Sequence, residues 1–209
     1  MRIVLASNNA KKLAELQALL APAGVTLLAQ PQLGISEADE PHATFIENAL
    51  VKARHAALHS GGPAIADDSG LCVDALGGAP GVGSAHFATF ALPAGAREVQ
   101  RAAQDAANNR LLLERLHAEP VRSAHFISTL VALRAADDPE PLVAVGRWQG
   151  EILREPSGSG GFGYDPLMFI PALGCTVASV SAQVKNAHSH RAIAARQMLQ
   201  LLRDEWKLS

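Results

Sequence analysis

Residues 64–81 read AIADDSGLCVDALGGAPG and carry two adjacent carboxylates inside an apolar, glycine-rich stretch. The apolar run Ala64–Ala66 predicts a short buried strand. We expect this strand to resume at Leu71–Val73, beyond the turn-forming residues Ser69 and Gly70. The two acids therefore lie where the sequence predicts a hydrophobic core.

Asp67 and Asp68 are the two acids of this segment. A buried carboxylate costs several kcal/mol unless a cation or an ion pair compensates it. Mg²⁺ would supply that charge, because it binds carboxylate oxygens and retains waters that a phosphate can replace. The alternative is that 67–70 form only a polar turn between strands. The segment by itself leaves both interpretations open.

The composition indicates a globular protein with one substantial core or two lobes that share a sheet. Only 18% of the 209 residues are charged and the net charge is -2, which disfavours a disordered chain and a nucleic-acid binder. Cys72 and Cys175 show no metal-binding or redox spacing, so we expect a cytoplasmic location. The N-terminal MRIVLASNNAKK becomes polar too soon for a signal peptide, and no apolar run is long enough to span a membrane.

The N-terminal segment predicts a strand, a polar turn and a helix. Ile3–Ala6 is a short apolar run, Ser7–Asn9 are residues that cap helices, and helical spacing of leucines begins after Ala10. A helix N-terminus presents backbone donors and partial positive charge to a phosphate. Lys11 and Lys12 in its first turn are unfavourable next to the helix dipole unless an anion is bound, although two solvated lysines remain the alternative.

A second helix is predicted between Thr44 and about His59, because Thr44 and Glu47 have the spacing of a capping box. That spacing makes Glu47 a cap rather than a metal ligand. Glu40 precedes this helix and is available to join Asp68 at a metal ion, whereas a solvated loop acid is the alternative.

Further strands and a long helix complete the predicted α/β fold. Val25–Ala29 predicts a strand, and Arg97–Leu116 predicts a long, structural helix. Phe126–Leu133 and Leu142–Trp148 predict a hairpin around the loop Asp137–Pro141. We expect a single domain over residues 1–209 with a second lobe at about 123–155.

Two later segments have compositions that suit a nucleotide. The stretch SGSGGFGYD at 157–165 allows close backbone approach, and Phe162 and Tyr164 offer faces for a base. This stretch lacks the Walker P-loop spacing, and a plain hairpin loop is equally compatible with it.

Near the C-terminus, Lys185, His190 and Arg191 form a cationic group at a predicted helix start, for which Ser189 is the N-cap. His188 and His190 do not make a convincing metal pair, because no further His or Cys is close in sequence.

Five motifs in this order, SNNAKK, TFIENALVKA, ADDSGLCVDALGGAPG, GGFGYDP and SHRAIA, resemble the inosine triphosphate pyrophosphatase family. The resemblance extends over nearly the whole chain. It implies an elongated mixed β-sheet flanked by helices, with two lobes and a nucleotide cleft between them, in a homodimer. It also implies Mg²⁺-dependent hydrolysis of ITP, dITP and XTP to the monophosphate and pyrophosphate, which removes these nucleotides from the pool.

The resemblance also implies the roles of individual residues. Asp68 would be the catalytic carboxylate and, with Glu40, would bind Mg²⁺. The residues implied to contact substrate are Ser7, Asn8, Asn9, Ala10, Lys11 and Lys12 at the triphosphate, Ser69 beside it, Phe162, Gly163, Tyr164 and Asp165 at the base and sugar, and Lys185, His190 and Arg191 at the base edge.

The chain departs from the family pattern at four positions. Asn8 and Lys11 replace glycines, His86 stands where an arginine is common, and Gln183 replaces an acid. These departures concern rate and substrate preference more than reaction class. The alternatives are a Maf-type nucleotide pyrophosphatase and a non-catalytic nucleotide-binding module.

Overall fold

The computed structural model describes residues 1–89, 91 and 95–207, which form a mixed seven-stranded β-sheet with flanking helices. The strands are Arg2–Leu5 (β1), Thr26–Ala29 (β2), Ala64–Val73 (β3), Ser123–Leu133 (β4), Leu142–Ile152 (β5), Met168–Ile170 (β6) and Cys175–Thr176 (β7). The α-helices are Ala10–Leu20 (α1), Phe45–Ser60 (α2), Arg97–Arg115 (α3), Ala182–His188 (α4) and His190–Trp206 (α5).

The sheet has the strand order β2-β1-β3-β4-β5-β6-β7. β1 pairs in parallel with β2 and β3, whereas β6 pairs antiparallel with β5 and β7. The mixed sheet and the neighbouring positions of β4 and β5 confirm the predicted α/β class and the predicted pairing of these two runs. None of the helices in the described residues combines the length and apolar character needed to cross a membrane.

β3 is one continuous strand of ten residues, so the predicted turn at Ser69 and Gly70 is wrong. The interpretation of 67–70 as only a polar turn is wrong for the same reason. Parallel pairing of Val4 with Ala64 and of Leu5 with Ile65 extends β3 beside β1. Pairing within the sheet outweighs the local turn preference of Asp, Ser and Gly.

The chain divides into two compact units. The first comprises residues 1–69, 127–147 and 186–209, and the second comprises 70–126 and 148–185. This division differs from a second lobe at about 123–155, and the single domain over 1–209 stays a prediction. Residues 90, 92–94 and 208–209 of that predicted domain lie outside the described residues.

Alternating side chains of the strands divide the core of the first unit into two apolar clusters. Ile3, Leu5 and Ile65 pack in one cluster with residues of α1 and α5. Val4 and Ala66 pack in the other cluster with the alanines of α2. Because successive strand residues point to opposite faces, the strands of this unit are covered by α1 and α5 on one side and by α2 on the other.

Three helices of the first unit begin at the predicted capping residues. The Asn9 side chain accepts hydrogen bonds from the backbone N–H groups of Lys11 and Lys12 at the start of α1. Thr44 caps α2, and Ser189 caps α5. Helix α4 and the short strands β6 and β7 were not predicted from the sequence.

Candidate active site

The two adjacent aspartates of β3 point to opposite faces of the strand. Asp67 lies two residues after Ile65 and therefore points to the same face of the strand, the side covered by α1 and α5. Asp68 lies two residues after Ala66 and points to the same face as that residue, the side covered by α2. The two carboxylates consequently have different partners and different charge states.

Asp67 is fully enclosed by donors. Its Oδ2 lies 2.9 Å from Lys12 Nζ and 3.1 Å from Arg191 Nη2, and its Oδ1 accepts a 2.6 Å hydrogen bond from Ser128 Oγ. Ser69 Oγ donates to Oδ2 at 3.1 Å. Burial opposes ionisation, but Lys12 and Arg191 outweigh it and hold the pKa of Asp67 well below its ordinary value. Asp67 is therefore a permanent anion that orders the cations around it.

Lys12 connects this anion to the start of α1. Its side chain is 18% exposed, and its ammonium group is bonded to Asp67. Burial lowers the pKa of Lys12, and the cations Arg191 and Lys52 add to this decrease, while Asp67 opposes it. An ammonium group in the first turn of a helix, together with the partial positive charge of the helix N-terminus, suits a bound polyanion.

The polar residues before α1 bond one another and the helix. Ser7 Oγ accepts from the backbone N–H of Asn9 at 3.1 Å, and Asn8 Oδ1 accepts from Gln30 Nε2 at 3.0 Å. The predicted phosphate-binding turn from Ser7 to Lys12 is therefore an ordered turn. Its contact with substrate stays a prediction.

Asp68 pairs with a lysine on the other face of the strand. Lys52 Nζ lies 2.6 Å from Asp68 Oδ1 and 2.8 Å from Glu40 Oε2, and it donates to the Asp67 carbonyl oxygen at 3.2 Å. Lys52 is thus the bridge that brings the two predicted metal-binding acids, Glu40 and Asp68, together.

The pKa values of Asp68, Glu40 and Lys52 are shifted differently by burial and by the charges of the other two residues. Burial raises the pKa of Asp68 to about 6, and the neighbouring Glu40 carboxyl adds to the rise although Lys52 opposes it. Burial also opposes ionisation of Glu40, but Lys52 outweighs it and lowers the pKa of Glu40. Burial lowers the pKa of Lys52, but Asp68 and Glu40 reverse this and leave it raised. Asp68 is the acid of this group whose protonation changes closest to neutral pH.

The geometry of Asp68 and Glu40 fits a divalent cation. Asp68 Oδ2 is buried and accepts no hydrogen bond within the part of the chain that the structure describes. A buried carboxylate oxygen without a donor, beside a second carboxyl group, suits a hard cation. The described residues contain no group of three or more His, Cys, Asp or Glu side chains that would hold a metal alone. Two carboxylates suit Mg²⁺, which completes its shell with waters and phosphate oxygens.

Arg191 lies in the first turn of α5 and is only 2% exposed. Its guanidinium forms ion pairs with Asp67 and Glu15 and donates to Ser69 Oγ at 3.1 Å. These contacts support a role in fixing Asp67. Contacts of Arg191 and of the buried His190 with the edge of a base stay predictions.

Gly146 of β5 allows the first turn of α5 to approach the strand closely. A Cβ atom at this position would lie 2.0 Å from the carbonyl oxygen of His190 and 2.6 Å from the backbone nitrogen of Ala194. Only glycine is compatible with this spacing, so Gly146 determines where Arg191 enters the site.

The second unit contains the remaining predicted substrate residues. Lys185 Nζ lies 2.8 Å from Asp165 Oδ2 and 4.5 Å from the centre of the Phe162 ring. Asp165 Oδ2 also accepts from the backbone N–H of Phe162 at 2.9 Å. Tyr164 is 5% exposed and belongs to the core of this unit. The structure therefore groups Phe162, Asp165 and Lys185, whereas Tyr164 is a packing residue.

The sequence analysis missed Lys52, Ser128 and Glu15. A signal for Lys52 was present, because it lies on the alanine face of α2, three residues after Ala49 and four before Ala56. A lysine on a buried helix face needs an anionic partner. No comparable signal indicated Ser128 or Glu15.

Comparison with known proteins shows similarity over the full chain. A model described as the Ham1 family matches residues 3–201. A dITP/XTP pyrophosphatase of Methylibium petroleiphilum is 68% identical over 206 residues, which cover 99% of each protein. A dITP/XTP pyrophosphatase of Leptothrix cholodnii is 67% identical over 213 residues, covering 100% of each. The solved structure of a HAM1 protein from Coxiella burnetii is 41% identical, with a TM-score of 0.85 over 97% of this chain and 98% of that one. These matches confirm the family resemblance of the five motifs.

We expect substitutions of the two aspartates to change stability in opposite directions. Asp68→Asn should raise the melting temperature at about pH 8 without divalent metal, because folding raises the pKa of Asp68 and so disfavours its charged form. An acid with a raised pKa binds its proton more readily in the folded protein. Wild type should therefore gain stability relative to the variant as the pH falls through about 6, and the difference should shrink.

Asp67→Asn is the matched control at the neighbouring position. It should lower the free energy of unfolding at neutral pH by roughly 3–5 kcal/mol, because Lys12 and Arg191 would lose their buried counter-ion. The stabilisation from Asp67 is present above the unfolded pKa and is lost as the pH falls through the lowered folded pKa. Thermal unfolding from about pH 4 to about pH 8 measures both variants. Equal destabilisation by both substitutions would contradict this assignment.

Proposed function

We propose, from the premise that this chain belongs to the Ham1 family, that it hydrolyses non-canonical purine nucleoside triphosphates to the monophosphate and pyrophosphate. ITP, dITP and XTP are the substrates we infer, which makes the chain a hydrolase of the nucleotide pool. The names of the relatives, dITP/XTP pyrophosphatase, support this class of substrate. The observation that carries the proposal is the buried Asp68, whose Oδ2 accepts no hydrogen bond among the described residues and which lies beside Glu40 and Lys52.

Asp68 and Glu40 would hold Mg²⁺ in this proposal. The bound ion would neutralise negative charge on the phosphate oxygens. Lys52 bonds Asp68 Oδ1 and Glu40 Oε2, so it favours the ionised form of both acids and aligns them before a metal binds. The unpartnered Oδ2 of Asp68 supports direct ligation.

The start of α1 suits the triphosphate. Lys12 contributes a cation that Asp67 holds in place, and the capped helix N-terminus contributes partial positive charge. Phosphoryl transfer depends chiefly on positioning and on neutralising charge at the oxygens and the leaving group. Lys12 is therefore the residue of this chain that we expect to stabilise departing pyrophosphate.

Asp68 would orient and deprotonate the attacking water. Hydrolysis forms a bond from water oxygen to the α-phosphorus and breaks the bond to the pyrophosphate oxygen, while a carboxylate accepts the proton of the water. Without a bound metal ion, a pKa of about 6 leaves Asp68 mostly ionised at neutral pH, and a bound cation would favour the ionised form further. The hydrogen bond from Lys52 fixes the orientation of its carboxylate.

The second unit would bind the base. The ring of Phe162 offers a stacking face, and the Lys185 ammonium group beside it is a donor for the 6-keto oxygen of hypoxanthine or xanthine. Adenine would present an amino donor to protein donors, and leaving such groups unpaired gives discrimination of roughly 10⁴ or more. A homodimer and a cytoplasmic location stay predictions from the family resemblance.

The experiment that tests this proposal is pyrophosphate release from ITP, XTP, dITP, GTP, ATP and dTTP, with and without Mg²⁺. We expect metal-dependent pyrophosphate, and no free phosphate, from the inosine and xanthine nucleotides. Preference for dTTP would indicate the Maf-type alternative. Binding without turnover would indicate a non-catalytic nucleotide-binding module.

Asp68→Asn should lower kcat for ITP by roughly 10²–10⁴-fold, because the amide cannot accept the proton and is a weaker ligand for a hard cation. ITP binding should largely survive, because Lys12 and the start of α1 are unchanged. Steady-state kinetics and calorimetric binding separate the two effects. Turnover at the wild-type rate would remove Asp68 from the mechanism.

Glu40→Gln should raise the Mg²⁺ concentration needed for half-maximal activity, because the amide is a weaker ligand for a hard cation. Asp39→Asn is the matched control, since Asp39 is the exposed acid next to Glu40 in the same loop. A titration of activity with Mg²⁺ measures both. An equal shift in both variants would mean that loop charge, and not ligation by Glu40, causes the effect.

A further inference from the structure

Helix α3 holds the peptide backbone of the glycine-aromatic loop in the second unit. The backbone N–H of Gly163 donates to Asp105 Oδ2 at 2.8 Å, and Asn109 Nδ2 donates to the Gly163 carbonyl oxygen at 2.9 Å. Asp105 and Asn109 are four residues apart and therefore neighbours on one face of α3. Both backbone groups of one loop residue are thus bonded to one helix.

Gly163 is the position where such anchoring has most effect. Its φ is +63°, a left-handed conformation that glycine adopts without strain, and it stands directly after Phe162. Gly158 and Gly161, in the same loop, also have positive φ angles. A segment this rich in glycine has a high conformational entropy when it is not held, so side-chain hydrogen bonds must select one backbone conformation.

The neighbours of Gly163 are held in different ways. Tyr164 is packed in the core of the unit, and its hydroxyl donates to the Ser84 carbonyl oxygen at 2.9 Å. Burial raises the pKa of Tyr164, and the Asp105 carboxylate adds to the rise, so this hydroxyl keeps its proton. Phe162 is only partly buried and is not among the described core residues of the unit. Its ring depends on backbone anchoring more than the Tyr164 ring does.

The anchored peptide leads directly to the base-binding group. The N–H of Phe162 donates to Asp165 Oδ2 at 2.9 Å, the same oxygen that accepts from Lys185 Nζ at 2.8 Å. Lys185 Nζ in turn lies 4.5 Å from the centre of the Phe162 ring. A shift of the Gly163 peptide would therefore displace Phe162 relative to Lys185.

We propose that Asp105 and Asn109 are positioning residues that hold the Gly163 peptide, and through it the Phe162 ring, in the conformation that stacks on a purine base. This inference rests on the proposed function, because it takes Phe162 as the base-stacking side chain. It assigns to α3, which the sequence predicts to be structural, a role in purine affinity.

The test measures binding of ITP and of inorganic triphosphate, which has no base, by calorimetry in an Asp68→Asn background, where hydrolysis does not interfere. Asp105→Ala and Asn109→Ala should each weaken ITP binding by about tenfold, the effect of one well-formed hydrogen bond. Binding of inorganic triphosphate should change less than about twofold, because Lys12 is untouched. Asp105→Asn should recover most of the ITP affinity, since its amide oxygen still accepts from Gly163.

Arg110→Ala is the matched control, because Arg110 is exposed on the same helix next to Asn109. It should leave both affinities unchanged. Hydrogen exchange of the 158–167 backbone should accelerate in the two alanine variants and not in the control.

Equal weakening of ITP and inorganic triphosphate would overturn the inference, because it would indicate general damage to the fold. Faster exchange with unchanged ITP affinity would also overturn it. Failure of the proposed function has a different signature: the enzyme with Asp68 intact would release no pyrophosphate from ITP, whatever the pattern of affinities among the α3 variants.

Discussion

Asp67 is a carboxylate with no exposed side-chain surface, and the first unit is arranged to compensate its charge. Lys12 from α1 and Arg191 from α5 supply the cations, and Glu15 supplies a second anion that pairs with Arg191. The group is therefore formally neutral, which makes its burial tolerable. Two helices distant in sequence are tied to β3 by one ion-pair network, with Ser128 of β4 completing the hydrogen bonds of Asp67.

Asp68 is the next residue, and its environment raises its pKa, whereas the environment of Asp67 lowers the pKa of that residue. A permanent anion at Asp67 and an acid with a pKa of about 6 at Asp68 coexist because the strand directs them to opposite faces. One carboxylate stabilises the fold, and the other carries an electrostatic cost that a metal ion would relieve. Lys52 moderates this cost without removing it, which is the condition expected of a catalytic carboxylate.

In the second unit, the feature that needs stabilisation is the backbone of a glycine-rich loop. The unit presents Phe162 on this loop, where apolar packing alone does not determine the backbone, and Lys185 from α4 lies beside the Phe162 ring. Hydrogen bonds between α3 and both backbone groups of Gly163 take over that role, together with Asp165, whose Oδ2 accepts from the Phe162 backbone N–H and from Lys185 Nζ. These hydrogen bonds offset the entropy cost of ordering a flexible loop.

The sequence by itself determined the helices with clear capping residues, the longer apolar strands and the five family motifs, because these depend on local spacing and residue type. The mixed α/β sheet was implied by the family resemblance that those motifs carry. Glu40 and Asp68 were predicted together on chemical grounds, and the structure brings them together through Lys52. Only the tertiary structure decided that β3 passes through 67–70 without a turn, since the position of β3 in the sheet, between β1 and β4, overrides local turn preference. That continuity sets the alternation of the two aspartates, and hence which acid faces Lys12 and Arg191 and which faces Lys52. Contacts such as Arg191 with Asp67 join residues 124 positions apart, and no local pattern encodes them.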